Sequence, residues 1–186
     1  ALERRDWSAA ASLVPREPAT LDWNRFAWPE AITWFARGLG AAHLGRLADA
    51  RAADERIGAL EGASRTANEA LFTTNIHVLR LELLAWLAHL EGGGDSSVAL
   101  MREAAALEAS TPKHPVTPAP TIPGYELLGD LLMAQQRPAE ALVAYERSLE
   151  LQPKRFNGLL GAARAARAAG DERKARTSYV ELLAVA

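Results

Sequence analysis

The stretch YELLGDLLMAQQRPAEALVAYERSLELQP, residues 125–153, decides the fold. Leucines recur in its first half at the spacing of one helix face: Leu127, Leu128, Leu131 and Leu132. Residues 136–138 interrupt the pattern, and Pro138 suits the first turn of a new helix. A second apolar stripe then follows: Leu142, Tyr145 and Leu149. Since Pro153 ends this stripe, the stretch predicts two antiparallel helices joined by a short turn, which is a helical hairpin.

The same pattern returns after 34 residues, in FNGLLGAARAARAAGDERKARTSYVELLAV, residues 156–185. Four positions of the first copy correspond to positions of the second: Gly129 to Ala163, Gln136 to Gly170, Ala141 to Ala175 and Tyr145 to Tyr179. The second copy also breaks at residues 169–171, where the first has its turn. Two hairpins in the same period predict an array of stacked helical hairpins.

The first copy resembles a tetratricopeptide repeat, a helical hairpin of about 34 residues. Such a repeat combines bulky and small residues on its first helix, here Tyr125, Leu128, Gly129 and Leu132. Its second helix has small residues around an aromatic one and ends at proline, here Ala141, Tyr145, Ser148 and Pro153. Small residues let two helices approach closely, and bulky residues fill the space beside them. The resemblance implies an all-α chain of tandem antiparallel hairpins that form a right-handed superhelix, an α-solenoid.

Two degenerate copies precede the clear ones, in residues 30–61 and 66–109. Each keeps small residues and a glycine at its break: Gly45 in the first and Gly94 in the second. Charged residues, Asp54 and Glu103, replace the aromatic residue of the second helix. Residues 66–91 contain no strong breaker, so one long helix is predicted there.

The whole chain is predicted to be a single array over residues 1–186. Its parts, in order, are a half-repeat at 1–14, the degenerate repeats, a proline-rich insert at 110–123, and clear repeats at 124–153 and 156–186. In the half-repeat, Asp6 is expected to cap a short helix. A half-repeat at the start suggests a C-terminal fragment of a longer protein. The preference for Arg over Lys, with abundant Ala, suggests a bacterial origin.

Composition excludes several kinds of protein. The formal charge is -2, with 21 Lys and Arg against 23 Asp and Glu, so the chain is expected to bind neither nucleic acid nor an anionic membrane. It has no cysteine, which excludes disulfides and thiolate metal sites. Its longest apolar stretch, residues 79–90, is too short and too interrupted to span a membrane. These features fit a soluble protein of the cytoplasm or the periplasm, with the cytoplasm slightly favoured.

Two proline-rich segments interrupt the repeats. Residues 15–29 also carry three aromatic residues: Trp23, Phe26 and Trp28. These side chains either pack on the neighbouring hairpin or bind a partner. Residues 110–123 contain five prolines, and residues 113–118 are similar to a run in some bacterial tetratricopeptide proteins of unassigned function. This insert is either a rigid connector or a loop that folds over a groove and supplies Lys113 or His114 to a ligand.

No catalytic motif is present: the sequence lacks HExxH, GxSxG and the glycine loops that bind nucleotides. None of the four histidines has the i, i+3 or i, i+4 spacing of a metal pair on a helix. The chain is therefore predicted not to be an enzyme and to need no metal and no cofactor. His43 and His89 are expected to cap helix ends or to face solvent.

In tetratricopeptide arrays the first helix of each hairpin lines a concave groove in which ligand peptides usually lie. The resemblance therefore implies a scaffold that binds a peptide or protein segment. Candidate contacts follow from helix phase and from the insert: Phe35, Leu39, His43, His114, Glu126, Asp130, Met133, Arg155, Asn157, Arg164 and Arg167. Among them, Arg155, Arg164 and Arg167 are expected to form a basic patch that holds a carboxylate.

Leu160 and Arg164 stand where chaperone-tail-binding members of the family use Lys and Asn, so a chaperone-type clamp is not implied. Two other functions stay open. In the first, the chain is a self-assembly module that forms a homo-oligomer, and its terminal hairpins pair through Leu182, Leu183 and Val185. Alternatively, it is a ligand-binding or metal-binding accessory region of a larger protein, built on His43 or His114.

Overall fold

The computed structural model describes residues 1–113 and 121–185. Nine α-helices occupy these residues: α1 Trp7–Ala11, α2 Ala27–His43, α3 Leu47–Thr66, α4 Ala70–Leu90, α5 Gly94–Ser110, α6 Gly124–Ala134, α7 Pro138–Leu151, α8 Phe156–Ala168 and α9 Glu172–Leu183. Short 3-10 turns, Leu2–Arg4 and Trp23–Arg25, precede α1 and α2. Of the described residues, 76% are helical and none lies in a strand, which confirms the predicted all-α class.

The helices form two compact units: unit 1 is Ala1–Thr121 and unit 2 is Ile122–Ala186. In unit 2, α6 packs against α7 and α8 against α9, while α7 and α8 join the two hairpins. In unit 1, α2 packs against α3 and α4 against α5. There α2 also contacts α1 and α4, and α3 contacts α4. Each unit therefore contains two helical hairpins, and unit 1 adds the short helix α1.

The 34-residue period is visible in the backbone of unit 2. Gln136 and Gly170 both have a positive φ, of 59° and 82°, and each follows the first helix of its hairpin. This left-handed conformation turns the chain back after a helix. The small residues Ala141 and Ala175 lie on the second helices and are both buried. The two hairpins predicted from the sequence are therefore confirmed as α6–α7 and α8–α9.

Glycine allows the helices of unit 2 to meet around one aromatic ring. A Cβ atom on Gly129 of α6 would lie 2.6 Å from the Tyr145 ring, and one on Gly161 of α8 would lie 2.4 Å from it. Both distances are far below a van der Waals contact, so neither position has room for a side chain. Tyr145 itself lies on α7 and is 3% exposed, which makes it the central side chain between three helices.

The long helix predicted for residues 66–91 is interrupted at its start. α3 ends at Thr66 and α4 begins at Ala70, so the turn of this pair of helices lies at residues 67–69. Asn68 in the turn has φ 59°. Asparagine is one of the few residues with a side chain that adopts this conformation readily, and sequence periodicity alone did not reveal it as a helix stop.

The predicted cap of α1 is confirmed. The Asp6 side chain accepts a hydrogen bond from the backbone N–H of Ala9, at 2.9 Å. The backbone of α1 then runs very close to α2, because a Cβ atom on Gly40 would lie 2.6 Å from the backbone nitrogen of Ala11. Ala10 and Ala11 are buried in this contact.

Residues 12–26 connect α1 to α2, and the aromatic residues of this region have different environments. Trp28, in the first turn of α2, is buried and stacks on Phe72 of α4 with ring centroids 6.3 Å apart. The indole N–H of Trp23 donates to the backbone carbonyl of Pro18, at 3.0 Å. Phe26 is 37% exposed. The packing interpretation therefore holds for Trp28, whereas Trp23 stabilises its own segment.

Candidate binding surfaces

One predicted groove residue of α6, Asp130, binds Tyr145. The tyrosine hydroxyl donates a hydrogen bond to Asp130 Oδ1 at 2.7 Å, which holds this carboxylate of α6 next to the hydroxyl end of the ring. Asp130 and Met133 are half-buried, so both keep a surface that solvent reaches. The hydroxyl group therefore links the aromatic core of unit 2 to a polar residue on its surface.

Two other predicted groove residues bind each other. The Glu126 carboxylate has no exposed surface, and its Oε2 accepts a bond from Arg155 Nε at 3.0 Å. Glu126 belongs to α6 and Arg155 directly precedes α8, so the ion pair joins the two hairpins of unit 2. Removal of one charge would leave the other buried or half-buried without its partner, which is costly. The predicted basic patch is therefore corrected, because Arg155 neutralises an internal carboxylate.

Arg164 and Arg167 remain as the accessible arginines of that patch. Both are exposed on α8, three residues apart, and neither has an ion-pair partner among residues 121–185. Asn157, one turn into the same helix, is half-buried. Residues three apart on a helix lie on neighbouring positions of one face, so the two guanidinium groups can contact one ligand.

The structure corrects the placement of two residues in α2. Phe35 and Leu39 are both 0% exposed. They lie in the core of unit 1, where α2 contacts α3 and α4, and they have no surface left for a partner. Helix phase did not identify a surface here, because α2 has buried residues around most of its circumference. The candidate His114 lies outside the described residues.

His43 is half-buried, and its ring packs between two indoles instead of capping a helix. Its ring stacks on Trp7 with centroids 3.8 Å apart and planes at 6°, and its other side contacts Trp86 at 4.1 Å. Burial, followed by the charges of Arg5 and His89, lowers the pKa of His43 from 6.5 to about 4. His89, the other histidine of that prediction, packs against the edge of Trp86 at 5.7 Å. The prediction that His43 caps a helix was therefore wrong, since sequence spacing does not show contacts between α1, α2 and α4.

A buried carboxylate, Glu30, connects three parts of unit 1. Arg56 of α3 donates two bonds to its Oε1, at 2.9 and 2.7 Å, and the Trp34 indole N–H donates a third at 3.1 Å. Arg16 donates to Oε2 at 3.1 Å and also to Asn24 at 3.1 Å. Glu30 therefore fixes residues 12–26 to both α2 and α3. Sequence reasoning missed this group, and its one local signal is the i, i+4 spacing of Glu30 and Trp34.

Glu82 is a second buried carboxyl group, and its situation is different. It is 1% exposed on α4, and neither carboxyl oxygen has a hydrogen-bond partner among the described residues. Burial raises the pKa of Glu82 well above its usual value; the nearby charge of Glu108 raises it further, while Lys113 acts in the opposite direction. The group is therefore held in its neutral form over a wider pH range than a surface glutamate.

The described residues contain neither a candidate membrane span nor a candidate metal-binding group. None of their helices combines the length and the apolar character that a membrane span requires. No group of three or more His, Asp or Glu side chains within residues 1–113 and 121–185 is arranged to hold a metal ion.

Comparison with known proteins finds a family match for the first hairpin of unit 2. Residues 123–155, which contain α6 and α7, match the sequence model of a family described as tetratricopeptide repeat. No curated protein and no solved structure matches the chain. Tetratricopeptide repeats are generally protein-interaction modules. Residues 123–155 are therefore similar to a tetratricopeptide repeat, and the all-helical fold and the 34-residue period agree with that similarity.

Proposed function

We propose that the chain is a protein-interaction scaffold and that unit 2 binds an acidic segment of a partner protein along α8. The observation that carries this proposal is the pair of exposed arginines, Arg164 and Arg167, which have no ion-pair partner in the described part of unit 2. An unpaired guanidinium group presents several N–H donors in a fixed plane that suits a carboxylate.

The neighbouring residues supply polar and apolar contacts beside the two charges. Leu160 and Asn157 are half-buried on α8, and Met133 is half-buried on α6. A flexible methionine adapts to different apolar side chains. The proposed ligand is therefore an extended or helical segment with at least one Asp or Glu and an adjacent apolar residue.

The test is a selection of binders from a library of random peptides displayed on phage, with the whole chain as bait. Affinities of the selected peptides are then measured by fluorescence anisotropy for the chain and for the variant Arg164→Ala/Arg167→Ala. We expect enrichment of acidic peptides and a loss of affinity of about tenfold or more, since hydrogen bonds to charged groups contribute about 1.5–3 kcal/mol each.

The matched control is Arg173→Ala/Arg176→Ala, which removes two exposed arginines with the same spacing from α9. It is expected to change affinity less than about twofold, within the range of nonspecific charge effects. Selected peptides without acidic residues, or equal losses in both variants, would contradict the proposed site. A chain that selects no peptide at all would contradict the scaffold function in this form.

A second candidate function is self-assembly, and one observation favours it. On α9 the side chain of Leu183 is 78% exposed and that of Val180 is 61% exposed, although Leu182 between them is buried. Large exposed apolar side chains near one helix end are a common feature of interfaces. If they pair chains, light scattering across a wide concentration range shows a dimer that Leu183→Lys abolishes. Val143→Lys, a change at a 65% exposed valine of α7, is the control and leaves the dimer intact.

A further inference from the structure

Residues 1–11 are held on unit 1 by few large side chains. Within this segment only Ala10 and Ala11 are buried, and an alanine side chain contributes little apolar area. Trp7 is the large side chain of α1, and it lies flat on His43 of α2 at 3.8 Å. The aromatic stack is therefore the contact that a large side chain of α1 makes with the rest of unit 1, beside the close packing of Ala10 and Ala11 on Gly40.

The stack continues into α4 and places an imidazole ring between two indoles. His43 contacts Trp86 at 4.1 Å, and Trp86 contacts His89 at 5.7 Å. His43 Nε2 is buried and accepts no hydrogen bond from the described residues. A proton on this nitrogen would therefore have no acceptor, and the resulting charge would be poorly solvated.

The charged groups around the ring oppose a positive charge on it. Arg5 lies next to α1, with its guanidinium carbon 5.7 Å from the centre of the Trp7 ring, and His89 lies on α4. Both disfavour protonated His43. The charged residues of the nearby turns bind each other: Arg46 binds Asp49 at 2.7 Å, and Arg51 binds Glu91 at 2.7 Å. None of these pairs offers a free carboxylate to an imidazolium ion.

We propose that the stack of Trp7, His43 and Trp86 is a pH-sensitive latch that holds residues 1–11 on α2 and α4 at neutral pH and releases them in acid. A cation over an indole ring is attractive by about 1 kcal/mol, and this effect favours the protonated stack. Burial and the two cationic neighbours outweigh it, as the direction of the His43 pKa shift shows. The sign follows from linkage: docking is fully stable above pH 6.5 and weakens as pH falls toward 4.

The size of the effect follows from the shift. If released His43 titrates at its ordinary pKa of 6.5 and docked His43 at about 4, the docking equilibrium falls by up to about 300-fold across that range.

The latch is tested on the whole chain by hydrogen exchange, corrected for the intrinsic pH dependence of exchange. We expect the protection of the Ala9, Ala10 and Ala11 amides to fall by up to about 60-fold from pH 7 to pH 4.5. In His43→Phe, which keeps an aromatic ring but cannot titrate, the same amides should lose less than about threefold. His77→Phe is the matched control, because His77 lies on α4 beside Glu61, and it should behave as the unchanged chain.

A second measurement keeps the test valid if His43→Phe does not fold. The pKa of His43 is read by nuclear magnetic resonance in the unchanged chain and in Trp7→Ala, where release of the stack should raise it toward 6.5. Equal pH dependence in His43→Phe and the unchanged chain would overturn the latch. So would an unaltered His43 pKa in Trp7→Ala, or a simultaneous loss of protection in α1 and α3, which would indicate acid unfolding of the whole unit.

Discussion

Within each unit, two successive hairpins meet at the aromatic position on the second helix of the repeat, and the residue at this position differs between unit 1 and unit 2. In unit 2 the position holds Tyr145, whose ring fits between Gly129 and Gly161 at distances that exclude any side chain. In unit 1 it holds Asp54, which accepts a bond of 2.9 Å from Arg80 of α4. The Arg80 guanidinium lies over Gly58, where a Cβ atom would be 3.1 Å away.

The comparison shows that the same position is occupied in unit 2 by an aromatic ring between glycines of two neighbouring helices and in unit 1 by an ion pair between two helices. Burial of a ring contributes several kcal/mol, whereas a partly exposed ion pair contributes little. Unit 1 therefore depends on other contacts, and it has them: the Glu30 hydrogen bonds, the His43 stack and the Trp28–Phe72 stack. We therefore expect substitutions at Tyr145 to reduce the free energy of unfolding much more than substitutions at Asp54.

The largest effect is expected for Tyr145→Ala. Loss of a buried aromatic side chain costs about 4 kcal/mol, and the hydrogen bond to Asp130 is lost with it. The free energy of unfolding is measured by urea denaturation followed by circular dichroism. The control is Tyr179→Ala, 34 residues later on α9, where the ring is half-buried and the cost should be about 1–2 kcal/mol. Equal losses in the free energy of unfolding at both tyrosines would show that the packing of Tyr145 against Gly129 and Gly161 contributes no stability.

Sequence reasoning predicted unit 2 well because its signals are local and repeated. The 34-residue spacing, Pro138 and the small residues all act within one hairpin, so the pattern alone identifies the helices and their turn. The same reasoning recognised that Asp54 replaces the aromatic residue, but it did not identify Arg80 as the partner. That partner lies 26 residues away on another helix, and no spacing rule connects the two.

A smaller loss is expected for Gly161→Ala. The new Cβ atom would lie 2.4 Å from the ring of Tyr145, so overpacking should cost about 1–3 kcal/mol, partly offset by the better helix propensity of alanine. Gly62→Ala is the matched control on α3 of unit 1. Nothing lies within 4 Å of a Cβ atom there, and the change should stabilise the chain by about 0.5–1 kcal/mol. Changes of opposite sign in the free energy of unfolding would show that Gly161 has no room for a side chain beside Tyr145. Changes of the same sign at both glycines would contradict this.

Glu82→Gln tests a polar group in the core of unit 1. The pKa of Glu82 is raised, so its contribution to stability is complete below pH 4.5 and is lost as pH rises through the pKa of the folded state. Glutamine does not titrate. We therefore expect the variant to resemble the unchanged chain at pH 4 and to be more stable by about 1 kcal/mol at pH 8. Urea denaturation at both pH values measures this, and a variant that is equally stable or less stable at pH 8 contradicts the buried neutral carboxyl.

The candidate surfaces were less predictable than the helices. Helix phase placed Arg164 on the exposed side of α8, because that helix buries one clear face, and Asp130 and Met133 at half-buried positions of α6. It failed for Phe35 and Leu39, because α2 packs against helices on several sides and its pattern does not mark a surface. A buried ion pair such as Glu126 with Arg155 also removes a charge from the surface, and only the distance between the two side chains reveals this.

The smallest effect is expected for the ion pair that replaces the aromatic residue. A double-mutant cycle with Asp54→Ala and Arg80→Ala should give a coupling energy of about 0.5 kcal/mol, because Arg80 is 35% exposed and the pair is screened by solvent. Arg51→Ala and Glu91→Ala, a more exposed pair that also joins α3 to α4, should give a smaller coupling energy. A coupling energy as large as the cost of Tyr145→Ala would contradict the conclusion that the ion pair stabilises unit 1 less than the ring stabilises unit 2. It would mean that Arg80, packed over Gly58 and bonded to Asp54, stabilises unit 1 as strongly as the ring stabilises unit 2.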